Sequence, residues 1–161
     1  IMIKKAYTIK KDKNLEEGIK IIEELLEKYP KNNILHNYKA YWLSLLGKNQ
    51  EALNILYGLI KEEPEKAIHH DTVGEILITL KKYEKAIEEF QKAIELNSND
   101  WFLYQTYIKL GICHKELGNH DFALRNLKKG KELTKKSTSD IETKQKWLKI
   151  SNLFLTEIEE S

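Results

Sequence analysis

Apolar and polar positions alternate along this chain with two superposed periods, a short one of three to four residues and a long one in the thirties. Gly18, Ala52, Ala86 and Ala123 lie 34, 34 and 37 positions apart. Four residues after each stands a large apolar side chain (Ile22, Leu56, Phe90, Leu127), and seven after stand Leu25, Leu59, Ala93 and Gly130. Such spacing puts these residues on one face of a helix, while charged pairs such as Glu23-Glu24 and Glu88-Glu89 fall on the other. Twelve residues upstream of each marker sits another small residue (Ala6, Ala40, Gly74, Gly111), followed by Ile9, Leu43, Leu77 and His114. Each long period therefore predicts a pair of helices. Gly47 with Lys48-Asn49, and Gly118 with Asn119-His120-Asp121, supply the reversal and cap chemistry between them. Pro30 and Pro64, 34 apart, end the first two second helices, because proline cannot continue a helix. Units of this kind bury their apolar faces only against neighbours, which predicts a solenoid rather than a globule.

The run Val73-Gly74, Leu77, Tyr83, Ala86, Phe90, Ala93 resembles a tetratricopeptide repeat, and Leu110-Gly111, Gly118, Ala123, Leu127 is a second copy. Ala40, Leu43, Gly47, Ala52 and Pro64 make a third, and a poorer first unit carries Gly18 where alanine is usual and Lys13 in its turn. The resemblance implies an all-α fold: a right-handed α-solenoid of antiparallel helix pairs, with units at about 1–32, 33–66, 67–103 and 104–137. Ser139 followed by Glu142 reads as a capping box, and Ile141, Trp147, Leu148, Ile150, Phe154, Leu155 and Ile158 recur at helical spacing. That makes 138–161 a C-terminal amphipathic capping helix. The three extra residues between Ala86 and Ala123 fall near Trp101-Phe102-Leu103, where the fourth unit's first helix is expected to start a turn early.

Composition narrows the function classes. Of 161 residues, 32% are charged, yet 27 Lys and Arg against 25 Asp and Glu leave a formal net charge of only +2, which gives no electrostatic case for nucleic acid or a membrane surface. No apolar run approaches the roughly 20 residues of a membrane span, and no leader pattern opens the chain. Ile1 precedes Met2, so a leader, an anchor or an output domain is left open outside this segment. The single cysteine, Cys113, suits a reducing compartment and a cytoplasmic setting.

Catalytic chemistry is not legible. His69-His70 and Cys113-His114 are sequence neighbours that diverge by about 100° on a helix, so neither pair clasps one metal ion or forms a nucleophile pair. There is no phosphate-binding glycine loop, His-Glu-x-x-His or Gly-x-Ser-x-Gly. No catalytic, cofactor or metal residue is assigned, and the chain reads as a non-enzyme.

Binding remains. In tetratricopeptide proteins the first helices line a concave groove that takes a partner's peptide or helix, and that resemblance nominates Tyr7; Asn37 and Tyr41; Asp71, Glu75 and Ile78; and Ile108, Ile112 and Lys115. Asp71 and Glu75, four apart on one face, are expected to accept a partner's Lys or Arg. The carboxylate clamp by which one subset of the family captures chaperone C-termini is disfavoured, because acidic residues replace its cations. Two alternatives stay open: a peptide-sensing regulatory domain of a longer protein, and a homo-oligomerisation module using Trp101 and Phe102, or Trp147 and Phe154 on the terminal helix.

Overall fold

The structure, a computed structural model, describes residues 15–96 and 102–160. Among the described residues there are eight α-helices and no strand. They fall into two compact units divided between Glu65 and Lys66.

The first unit holds α1 (Leu15–Lys28), α2 (Asn33–Leu45) and α3 (Asn49–Glu62), with α2 packed against both others. Its core is Ile19, Ile22 and Leu25 from α1, Leu35, Ala40, Trp42 and Leu43 from α2, and Ala52, Leu53, Leu56 and Leu59 from α3. Ile22 and Leu25 of α1 and Ala52, Leu56 and Leu59 of α3 are positions the long period marked. Gly18 owes its presence to Trp42: a Cβ there would lie 1.4 Å from the indole Cζ3, so the ring occupies the space an alanine methyl would need. Asn32 caps α2 by accepting the Leu35 N–H at 3.1 Å.

The second unit holds α4 (Ala67–Thr79), α5 (Tyr83–Leu96), α6 (Leu103–Glu116), α7 (His120–Lys136) and α8 (Ile141–Glu159). Successive helices pack on one another, and α6 also reaches α4 and α8. The small residues of the first helices have a steric cause: a Cβ on Gly74 would stand 2.5 Å from the Phe90 ring, and one on Gly111 2.7 Å from Leu127. Gly74 and Gly111 thus let these first helices lie close to the bulky side chains of their second helices.

Three chain reversals are copies of one another. After α2 the Gly47 N–H donates to Ser44 O and the Lys48 N–H to Leu43 O; Lys81 and Lys82 repeat this after α4, and Gly118 and Asn119 after α6. This is the Schellman closure, which requires a left-handed residue, and Gly47, Lys81 and Gly118 have φ of 79°, 55° and 75°. Two of the three use glycine, which adopts that conformation without a Cβ penalty.

Two local expectations need correction. The first helix of the fourth unit begins at Leu103, one residue ahead of the register set by α2 and α4 rather than a full turn, so most of the insertion lies before the helix. Helix α8 is capped by Asp140, whose carboxylate accepts the Thr143 N–H at 2.8 Å, and not by Ser139. The Ser139 hydroxyl instead meets the Tyr104 hydroxyl at 3.1 Å.

Most of the apolar stripe of α8 is spent inside the second unit, while Ile141 at its start is 74% exposed. Leu155 and Ile158 join Ile108, Ala123 and Leu127 in one cluster, with Trp147, Ile150 and Phe154 packed around it. No described helix is long and apolar enough to cross a membrane.

Candidate binding surfaces

Helix α2 buries Leu35, Asn37, Ala40, Trp42 and Leu43. Around the helix from these, Ile34 is 64% exposed and Leu45 41%, with Tyr38 and Tyr41 half-buried between them. Positions 34, 38, 41 and 45 recur at helical spacing and form one apolar, aromatic stripe along the helix. Of the two residues nominated here from the sequence, Tyr41 belongs to that stripe and Asn37 is buried. Tyr7 lies outside the described residues.

Helices α4 and α6 hold a different kind of site. The Lys109 ammonium donates to Asp71 Oδ2 at 2.5 Å and to Glu75 Oε1 at 3.2 Å, and the Thr106 hydroxyl donates to Asp71 Oδ1 at 2.6 Å. Asp71, Thr106 and Lys109 are all buried, and the ammonium also lies 5.5 Å from the centre of the Phe90 ring. Burial alone would lower the Lys109 pKa, but the charges and hydrogen bonds of Asp71 and Glu75 outweigh it and hold the pKa above the ordinary lysine range. The expectation that these two carboxylates await a partner's cation is therefore corrected: the chain fills the site with its own Lys109.

Three further nominated residues lie in or beside the core. Ile108 has no exposed surface, so it cannot meet a partner; it packs with Ala123, Leu127, Leu155 and Ile158. Ile112 is half-buried against the same cluster, and Ile78 is half-buried on α4. Lys115 reaches α8, where it pairs with Glu157 at 2.5 Å and lies over the Phe154 ring at 5.2 Å. Its pKa is raised, chiefly by the hydrogen bond to Glu157.

Of the aromatic residues nominated for self-association, Phe102 is corrected. It is 3% exposed and packs on Ala67, Ala93 and Ile68, which makes it a core residue of the second unit. Trp147 is half-buried, edge-on to Tyr104 with ring centres 6.3 Å apart, and Phe154 is half-buried on the α6–α7 cluster. Trp101 lies outside the described residues.

Three of the histidines make contacts within the fold. His70 Nδ1 pairs with Glu89 at 2.6 Å, and His36 Nε2 lies 2.8 Å from Pro30 O, tying α2 to the end of α1. The His114 ring stacks on Phe122, and burial lowers its pKa. Among the described residues no three His, Cys, Asp or Glu side chains converge on a metal-sized site. Lys109 is the residue the sequence did not flag. Its signal was weak: a lysine in a repeat column occupied by Tyr38 and Thr72 in the two preceding units.

A family model described as regulator of microtubule dynamics protein 1-3 matches residues 65–154, nearly the whole second unit. Cell division cycle protein 27 homolog A of Arabidopsis thaliana is 29% identical over 97 residues, covering 60% of this chain but only 14% of that protein's length. MamA, residues 41 to the end, from Desulfovibrio magneticus RS-1 superposes with a TM-score of 0.65 at 19% identity, over 86% of this chain and 76% of that one. A chain of the Naa15/Naa10 complex bound to HypK-THB superposes with a TM-score of 0.67 at 19% identity, over 99% of this chain and 23% of that one. These likenesses show the fold, a tetratricopeptide-type array of antiparallel helix pairs.

Proposed function

We propose that this chain, which belongs to the regulator of microtubule dynamics protein 1-3 family whose model matches residues 65–154, is a non-catalytic module that binds a partner protein. The observation that carries this reading is the α2 stripe. A helix with one side deep in a core keeps Ile34 and Leu45 exposed on another side, with two tyrosines between them. Large apolar side chains that share a helix face and remain in water gain most by being covered. Tyrosine adds area at low entropic cost together with a polar tip.

The partner segment best suited to this stripe is an amphipathic helix with apolar side chains at the same spacing, laid along α2. The interior ion cluster of α4 and α6 supports the alternative site poorly, since its carboxylates are already taken. The likeness to a chain solved in complex with HypK-THB is in keeping with a protein partner. The reading includes a cytoplasmic setting, which the free, buried Cys113 thiol suits. The family's name makes microtubules the first assembly to test by co-sedimentation.

The deciding experiment selects helical peptides on the wild-type protein and measures each against Tyr41→Ala/Leu45→Asp. We expect the selected peptides to share apolar residues at helical spacing and to lose at least about tenfold in affinity, the equivalent of 1.4 kcal/mol. Peptides that bind the double variant as tightly as wild type refute the site. Folding of the variant is checked by its helical circular dichroism, and both positions lie outside the fully buried core.

A further inference from the structure

The overall charge balance conceals two strongly charged helix faces of opposite sign. On α1 the side turned from the core carries Glu16, Glu17, Lys20, Glu23, Glu24 and Glu27, all exposed. On α7 the side turned from Ala123, Leu127 and Gly130 carries Arg125, Lys128, Lys129, Glu132, Lys135 and Lys136, all exposed. Each stripe is five charges of one sign interrupted by one of the other.

The two patterns are complementary position by position. When an α1 is laid antiparallel to an α7 with Glu27 level with Arg125, Glu24 and Glu23 fall opposite Lys128 and Lys129. The lone Lys20 then meets the lone Glu132, and Glu17 and Glu16 meet Lys135 and Lys136. All of this lies within about 16 Å of helix. Sliding by one turn destroys the match: in one direction Lys20 meets Lys128 and Glu16 meets Glu132, in the other Lys20 meets Lys136 and Glu24 meets Glu132. Like charges in such positions are repulsive, so the pattern specifies a register as well as an attraction.

We infer that α1 of one copy of this chain docks antiparallel along α7 of a second copy, in the register that sets Lys20 against Glu132. The contact joins two different surfaces, so it either closes into a ring or runs on from copy to copy. Glu17 and Glu23 already interact within the chain, Glu23 with the half-buried Lys39 at 2.9 Å, and Lys136 pairs with Glu132 at 2.6 Å, but the carboxylates at 23 and 132 stay in solvent and such pairs exchange partners at little cost. An interface built of exposed ion pairs is weak and salt-sensitive, because screening shortens from about 30 Å at 0.01 M salt to about 3 Å at 1 M. This surface is separate from the α2 stripe and does not depend on it.

Light scattering on the full chain tests this, and every substitution falls on an exposed position that leaves the core untouched. At about 0.01 M salt the expected mass is a multiple of 19.0 kDa, falling to the single-chain value at about 1 M. Glu24→Lys/Glu27→Lys and Arg125→Glu/Lys128→Glu are each expected to be single chains, and mixing the two is expected to restore association. The register has its own test. Lys20→Glu makes the acidic face more acidic, which would tighten a merely electrostatic contact but is expected here to weaken it about tenfold, with Glu132→Lys in the same chain restoring it. A single-chain mass at low salt, association that survives high salt or both double reversals, or tightening by Lys20→Glu overturns the inference.

Discussion

Replacing Gly18 with alanine sets two ordinary effects against each other. Glycine in a helix interior costs about 1 kcal/mol relative to alanine, so by propensity alone Gly18→Ala would stabilise α1. The structure places the new methyl 1.4 Å from Trp42 Cζ3 and 2.4 Å from Cε3 and Cη2, where carbon contacts ordinarily stand at about 3.5–4.0 Å. The indole must retreat by roughly 2 Å to restore that separation, yet Trp42 is 2% exposed and has no room to move. Overpacking of this kind costs about 1–3 kcal/mol, and so deep an overlap belongs at the upper end. The net expectation is a loss of about 2 kcal/mol, which at a urea slope of about 1–3 kcal/mol per molar moves the midpoint down by roughly 1 M. Urea unfolding followed by helical circular dichroism measures it. Gly58→Ala on α3 is the control, since nothing lies within 4 Å of its new methyl and the same change is expected to stabilise by about 1 kcal/mol. Adding Trp42→Leu to Gly18→Ala is expected to recover part of the loss relative to Trp42→Leu alone. A Gly18→Ala protein as stable as wild type would refute the packing described for α1 and α2.

Further expectations concern the second unit and the repeated turn. Lys109→Ala strands Asp71 in the interior and is expected to cost about 3–5 kcal/mol in thermal or urea unfolding, whereas Asp71→Leu/Lys109→Met is expected to stay within about 1–2 kcal/mol of wild type. Because the folded-state pKa of Lys109 lies above its unfolded value, its contribution is complete below about pH 10 and lost as pH rises through the folded pKa. Lys109→Met should lack that alkaline component of a stability profile. Burial pushes the Cys113 thiol up to about 12, so at about pH 8 a thiol reagent is expected to label it only as fast as the second unit opens, with immediate labelling counting against the burial. Lys81→Gly removes the one non-glycine left-handed residue among the described residues and should raise the melting temperature by the equivalent of about 1 kcal/mol.

The helices were legible because their signals are local and repeated. The spacing of Ala52, Ala86 and Ala123 fixed which faces are buried, and Gly47 and Gly118 fixed two of the three reversals. Lys81 was harder to see, since nothing in a lysine announces a positive φ; only its place in the column between two glycines does. Which nominated residues are free to meet a partner was less legible, because that depends on pairings across 34 to 38 residues. Asp71 and Glu75 look like exposed acceptors until Lys109 is found beside them. Ile108 looks like a groove residue until the terminal helix covers it. The opposed charge faces of α1 and α7 were hidden by a summed charge near zero, a quantity that cannot register two faces that cancel.

Helix α6 carries a consequence beyond its own contacts. It packs on α5, α7 and α8, and reaches α4 through the Lys109 and Thr106 bonds to Asp71. A repeat array with only nearest-neighbour coupling melts by fraying from its ends, one unit after another. A helix that four others depend on links their fates, so helices α4 to α8 should come apart as one cooperative block, with the backbone amides of α6 among the last to exchange with solvent.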